Sequence, residues 1–179
     1  NLDPNAQNMC PFCGIHLAIS EDLYGWKRYS DNPLFYEPGN ARDPFVYEEQ
    51  GKYYLYYTRT FNEIDYRSCI AVKESPDLLH WGTARIVHIQ KESRHAVNAE
   101  SSMIVKYDNI YYLFVCLAAT SYRKTHVYWS KKLDDFPLNN FITELPVHAC
   151  EVIECNNEWF ITDTGWDKEG LYAAKLNWE

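Results

Sequence analysis

Asp43, Glu100 and His148 stand at the head of a pattern that the chain uses three times. The first copy is Arg42-Asp43-Pro44-Phe45-Val46-Tyr47, a turn at Gln50-Gly51, then Lys52-Tyr53-Tyr54-Leu55-Tyr56-Tyr57. The second is Glu100-Ser101-Ser102-Met103-Ile104-Val105, a turn at Asp108-Asn109, then Ile110-Tyr111-Tyr112-Leu113-Phe114-Val115. The third is His148-Ala149-Cys150-Glu151-Val152-Ile153, a turn at Asn156-Asn157, then Glu158-Trp159-Phe160-Ile161-Thr162. Each is an apolar strand, a tight polar turn and an aromatic strand, opened by a polar side chain. Glu100 lies 11 residues before Tyr111, His148 lies 11 before Trp159, and Asp43 lies 10 before Tyr53. If equivalent strand starts converge, these side chains converge too. Two carboxyls in one pocket can divide the work of breaking a glycosidic bond, one giving a proton and the other facing the positive charge that develops on the ring.

The elements that must position them repeat as well. Ile15-His16-Leu17-Ala18-Ile19-Ser20-Glu21-Asp22-Leu23-Tyr24-Gly25-Trp26 resembles Ile70-Ala71-Val72-Lys73-Glu74-Ser75-Pro76-Asp77-Leu78-Leu79-His80-Trp81. Trp26 and Trp81 are 55 residues apart, Tyr53 and Tyr111 are 58 apart, and Tyr111 and Trp159 are 48 apart. A period near 50 residues with four strands per unit is the mark of a β-propeller. The expected fold is all-β, a propeller of four-stranded antiparallel blades that is incomplete in its first and last blades. The expected division is a partial blade over 1–36, then blades over 41–90, 98–145 and 147–179.

Composition agrees. Aromatic residues make up 16% of the 179 positions, with 15 Tyr and 6 Trp, as suits pleated strands packed face to face. The net charge is -8, with no basic stripe, so nucleic acid is not an expected partner. No apolar run approaches the roughly 20 residues of a membrane-spanning helix. The chain begins at Asn1 rather than Met, so a preceding segment is expected to have been removed.

The six cysteines leave two readings open. Cys10-Pro11-Phe12-Cys13 is a CxxC that, with Cys150 and Cys155, has the makings of a four-thiolate zinc site. The favoured alternative is a Cys10–Cys13 pair without catalytic importance. Cys69, Cys116 and Cys150 fall within apolar strands and read as small buried residues.

The whole set resembles the five-bladed β-propeller glycoside hydrolases of families 43 and 32. The resemblance rests on Ala41-Arg42-Asp43-Pro44 with Tyr53-Tyr54-Leu55-Tyr56, and on Asp77-Leu78-Leu79-His80-Trp81. It extends through Ala99-Glu100 with Tyr111-Tyr112-Leu113-Phe114 to the His148 segment with Trp159-Phe160-Ile161-Thr162 and Gly170-Leu171-Tyr172-Ala173-Ala174. It implies Glu100 as general acid and Asp43 as a stabiliser of the transition state or tuner of its neighbour's pKa. It also implies a third carboxylate at the start of the first blade, for which Asp3 in Asn1-Leu2-Asp3-Pro4-Asn5 is the only candidate. Arg42 would orient Asp43 or bind a sugar hydroxyl. His148 would face the channel and contact substrate or a central ion, sometimes calcium. Trp166 would stack on a sugar ring.

Each has a plainer alternative: Asp-Pro as a strand-entry turn, Glu100 as a solvated strand start, His148 as a core histidine, Trp166 as a packed loop residue. The expected partner is an oligo- or polysaccharide of arabinan, xylan or fructan type. A catalytically inactive sugar-binding propeller is the alternative. An incomplete ring would expose sheet edges and favour association with another copy. Polysaccharide substrates suggest a secreted or periplasmic location, by analogy.

Overall fold

The computed structural model describes residues 12–60, 68–90, 99–117, 123–165 and 169–178. Among the described residues the regular elements are strands, apart from one 3-10 turn at Leu138–Asn140. No helix among the described residues is long and apolar enough to cross a membrane.

The chain opens with four short strands, β1 (Phe12–Ile15), β2 (Ala18–Ile19), β3 (Lys27–Arg28) and β4 (Phe35–Pro38). They form two antiparallel pairs, β1 with β4 and β2 with β3. Next comes a four-stranded antiparallel meander, β5 (Ala41–Glu49), β6 (Lys52–Thr60), β7 (Ser68–Ser75) and β8 (Arg85–Ile89). A second meander follows, β9 (Glu100–Tyr107), β10 (Ile110–Cys116), β11 (Thr125–Ser130) and β12 (Phe141–Leu145). The last sheet has three strands, β13 (Val152–Cys155), β14 (Glu158–Asp163) and β15 (Tyr172–Leu176).

The three turns predicted from sequence are two-residue hairpins of one kind. Gln50-Gly51, Asp108-Asn109 and Asn156-Asn157 all take positive φ at both positions. That twist matches the right-handed twist of the flanking strands. Asn, Asp and Gly tolerate it well, which is why the polar dipeptides marked the turns.

Period-2 alternation then sends side chains to both faces of each meander. On β6, Leu55 and Tyr57 join Ile15, Ala41 and Ala71 in the layer beneath the N-terminal strands. Tyr56, between them, points the other way, with Ile70, Val72 and Val87. They meet Ile104, Leu113, Val115, Tyr128 and Phe136 of the second meander. The opposite face of that meander supplies Met103, Val105, Phe114 and Val127, packed on Cys150, Val152 and Ile161. Each fully buried aliphatic or aromatic side chain contributes about 1.5–3 kcal/mol. The meanders are thus apolar on both faces and stack as blades, and stacking fixes the mutual position of their first strands.

Candidate active site

The first strand of each unit begins with the same irregularity. In the first meander Arg42 pairs with Thr58 and Phe45 with Tyr56, so Asp43 and Pro44 together oppose Tyr57. In the second, Glu100 pairs with Cys116 and Met103 with Phe114, so Ser101 and Ser102 oppose Val115. Each is a β-bulge, one extra residue that bends the strand and re-aims a side chain. The residue inside each bulge has left-handed backbone, φ 53 at Asp43 and φ 48 at Ser101. Ala149 repeats it at φ 46, just before β13, with His148 O accepting from Thr164 N–H at 3.2 Å. For a residue with a Cβ this conformation costs on the order of 1 kcal/mol, and such strain concentrates at functional sites.

The bulges correct the register read from sequence. Arg42, not Asp43, is the structural equivalent of Glu100 and His148; Asp43 is equivalent to Ser101 and Ala149. The spacing carried the signal, because Arg42 lies 11 residues before Tyr53, as Glu100 does before Tyr111. The conspicuous carboxylate at Asp43 drew the alignment one place too far.

Convergence follows nonetheless. Arg42 Nη2 donates to Glu100 Oε2 at 2.5 Å, and Arg42 Nε lies 3.8 Å from Asp43 Oδ2. One guanidinium therefore faces both carboxylates. Asp43 Oδ2 accepts from Ser101 N–H at 3.2 Å and from the Thr58 hydroxyl at 3.3 Å, tying the first bulge to the second. Glu100 is buried, whereas the Arg42 and Asp43 side chains keep about a third of their surface in solvent (34% and 32%). Burial pushes the Glu100 carboxyl above its ordinary pKa. The Arg42 charge and hydrogen bond pull it back, and the Asp43 charge adds to the rise.

His148 is buried, with a ring nitrogen within 4.8 Å of a Glu100 carboxylate oxygen. Its Nδ1 lies 3.0 Å from Cys116 Sγ. Burial lowers the imidazole's pKa, against the charges of Asp163 and Asp43, and raises the Cys116 thiol to about 12. Both shifts favour the uncharged forms, and the imidazole tautomer sets which of the two donates. Asp163 fixes the third bulge, its Oδ1 accepting from the backbone N–H groups of His148 at 3.0 Å and Gly165 at 3.1 Å. Glu100, Cys116 and His148 each place a ligand-type atom within 4.8 Å of the others. Calcium takes six to eight oxygen ligands, so a set holding a thiol and an imidazole does not fit the channel calcium that the resemblance suggested.

Asp3, Trp166 and Cys10 lie outside the described residues. Arg59 turns away from the cluster towards Glu37, with Nε 3.0 Å from Oε2. Cys150 is buried in the apolar layer, Cys155 is exposed at the end of β13, and Cys13 is half-buried on β1. Sequence reasoning missed Cys116, Thr58 and Asp163 as members of the site. Cys116 and Thr58 were identifiable as the residues opposite Glu100 and Arg42 once the bulges are known.

No protein-family model and no curated protein sequence matches the chain. Solved structures do. A thermostable family-43 glycoside hydrolase superposes with a TM-score of 0.72 at 19% identity, over 93% of this chain and 64% of that one. An α-L-arabinofuranosidase from Clostridium thermocellum gives 0.66 at 16%, over 93% and 62%. A family-32 β-fructofuranosidase from Bombyx mori, solved with sucrose, gives 0.60 at 16%, over 82% and 35%. The chain has the β-propeller fold of glycoside hydrolases of families 43 and 32. It spans less than two thirds of the length of these structures.

Proposed function

We propose that this chain carries the acid half of a glycoside hydrolase site, with Glu100 as general acid and Asp43 as the carboxylate that tunes it and stabilises the transition state. The observation that supports this reading most is the Glu100–Arg42–Asp43 cluster, two carboxylates from adjacent bulged strands facing one guanidinium. A leaving-group oxygen needs a proton, so its donor must hold that proton near neutral pH. Burial favours protonated Glu100, and the Asp43 charge beside it works in the same direction. Asp43 itself keeps two hydrogen-bond donors on Oδ2, which suits the ionised form that an oxocarbenium-like transition state needs nearby. Arg42 opposes protonation of Glu100. A substrate hydroxyl that draws the guanidinium away would release the acid. The base or nucleophile is expected from the first blade, with Asp3 as candidate. The proposed substrate is an oligo- or polysaccharide of arabinan, xylan or fructan type, met outside the cytoplasm.

The test is hydrolysis of aryl arabinofuranosides, xylosides, arabinans and fructans by the wild type and by Glu100→Gln. Activity that the substitution abolishes supports the assignment. Activity that survives it places the acid elsewhere. No hydrolysis with glycan binding retained would favour a sugar-binding propeller instead.

A further inference from the structure

Behind Arg42, the cluster contains more than acid–base chemistry requires. Cys116 ends β10 directly opposite Glu100, and its thiol touches the His148 ring rather than apolar neighbours alone. We infer that Glu100, Cys116 and His148 form a binding site for a thiophilic divalent cation of the zinc class, whose occupancy removes Glu100 from service as a proton donor. The inhibitory consequence rests on the reading of Glu100 as the acid; the binding does not.

Four observations carry the inference. First, the three ligand-type atoms lie within 4.8 Å of one another. An ion bonded at about 2.0–2.3 Å holds its donors roughly 3–4 Å apart, so adjustments of about an ångström suffice. Second, all three residues are buried. They come from separate backbone segments, the start of β9, the end of β10 and the bulge before β13. Bulge and ladder fix these segments, so the donors are held in advance of binding. Third, one thiolate, one imidazole and one carboxylate are ligand types that zinc accepts with an open fourth position, and that calcium does not prefer. Fourth, the neighbouring Arg42 and Asp43 side chains are partly exposed, so solvent reaches the edge of the cluster.

Charge favours occupancy as well. Ionised Glu100 and Asp43 with Arg42 leave one net negative charge, and a divalent cation with a Cys116 thiolate brings the cluster to neutrality. On binding, the Cys116 S–H bond breaks, its electron pair forms the sulfur–metal bond and its proton leaves to solvent; the Glu100 carboxyl gives up the proton it holds as general acid in the same way, and its freed oxygen lone pair takes the ion. His148 ligates as the neutral tautomer whose Nδ1 carries a lone pair. No electron is transferred.

The experiment begins with chelator-treated protein. Zinc binding is followed by calorimetry and cobalt(II) binding by visible absorption, where a thiolate ligand adds a charge-transfer band. The expected result is one equivalent of metal with that band. Cys116→Ala abolishes the band and weakens zinc by more than the roughly 10–100-fold that loss of an outer-sphere partner costs. Cys13→Ala and Cys155→Ala leave both signals intact, and excess calcium does not displace zinc. A wild type without the band, or a band lost in Cys13→Ala or Cys155→Ala and kept in Cys116→Ala, overturns the site. Circular dichroism monitors folding. If Cys116→Ala unfolds, His148→Gln replaces it, and undiminished zinc binding by that variant also overturns the site. Inhibition is read separately. Zinc that binds through Cys116 to a chain hydrolysing no glycan leaves the site standing and removes the acid assignment. Zinc that binds without slowing an active chain removes the inhibitory consequence.

Discussion

The two ends of the repeated unit obey different rules. At the end away from the cluster, the Ser20–Trp26 and Ser75–Trp81 loops are nearly the same object. In both, the first Ser donates to Asp Oδ1 at 3.1 Å. That Asp oxygen accepts two backbone N–H groups, from Tyr24 and Gly25 in one loop and from Leu79 and His80 in the other. Leu23 and Leu78 take positive φ, 66 and 68. Each Trp indole N–H then closes the loop on the Leu carbonyl, at 3.1 and 3.0 Å. At the cluster end the backbone repeats as faithfully, bulge for bulge, yet the residue that precedes the bulge is Arg42, Glu100 and His148 in turn. Where a loop only has to close, side chain and backbone repeat together. Where side chains meet from several units, the backbone repeats and the chemistry diverges.

Removing chemistry at one end and closure at the other should therefore fail in different ways. The largest effect is expected from Glu100→Gln, a loss of about 10²–10⁴ in kcat/KM on whichever glycan is cleaved, with the unfolding transition retained. A melt that collapses together with activity would make the cluster a structural device like the loops. The second effect compares the loops with each other. Trp81 packs on the layer around Leu55 and Tyr57, whereas Trp26, with the same hydrogen bond, is 58% exposed. Trp81→Ala should cost about 2 kcal/mol in denaturant unfolding and Trp26→Ala about 0.5 kcal/mol or less, both with activity kept. Equal losses would show that the indole hydrogen bond, not burial, decides the loop's worth.

The same division explains what the sequence disclosed. Paired turns such as Asp108-Asn109, and the alternation of Leu55, Tyr56 and Tyr57, are local signals, so hairpins, blades and the β-propeller were legible. So was the meeting of Glu100 with the Arg42–Asp43 segment, because a repeated strand start implies convergence. The bulge was not, since it adds one residue without any fixed residue type: Asp43, Ser101 and Ala149 share only a backbone angle. Cys116 was hidden for a further reason. Its place against His148 depends on the angle between two sheets, which no spacing within one strand records.

A third effect appears on the acid side. Buried His88 and His148 both have lowered pKa values, chiefly from burial. A base held below its unfolded value contributes stability that is full above that value, about 6.5, and is lost as pH falls through the folded one. Thermal melts should therefore weaken on acidification from neutral pH. His148→Gln should reduce that slope at the cluster, and His88→Gln should reduce it within the core. A slope unchanged by either would mean that neither ring stays neutral in the fold.

The smallest effect tests the cluster's internal wiring. If Glu100 works protonated, kcat/KM falls as pH rises through its pKa. Asp43 raises that pKa by repulsion between like charges and Arg42 lowers it by attraction. Asp43→Asn should therefore move the alkaline limb to lower pH, and Arg42→Gln should move it higher. Stability follows the same sign. A carboxyl whose folded pKa lies above its unfolded one contributes most below the unfolded value and loses that contribution as pH rises through the folded one. Glu100→Gln should flatten this alkaline loss in thermal melts while Asp43→Asn only shifts it. Opposite displacements of the rate limb would tie both neighbours to one proton on Glu100. Displacements of the same sign would mean that the proton limiting catalysis sits on another group, and that the bulges bring these side chains together for binding alone.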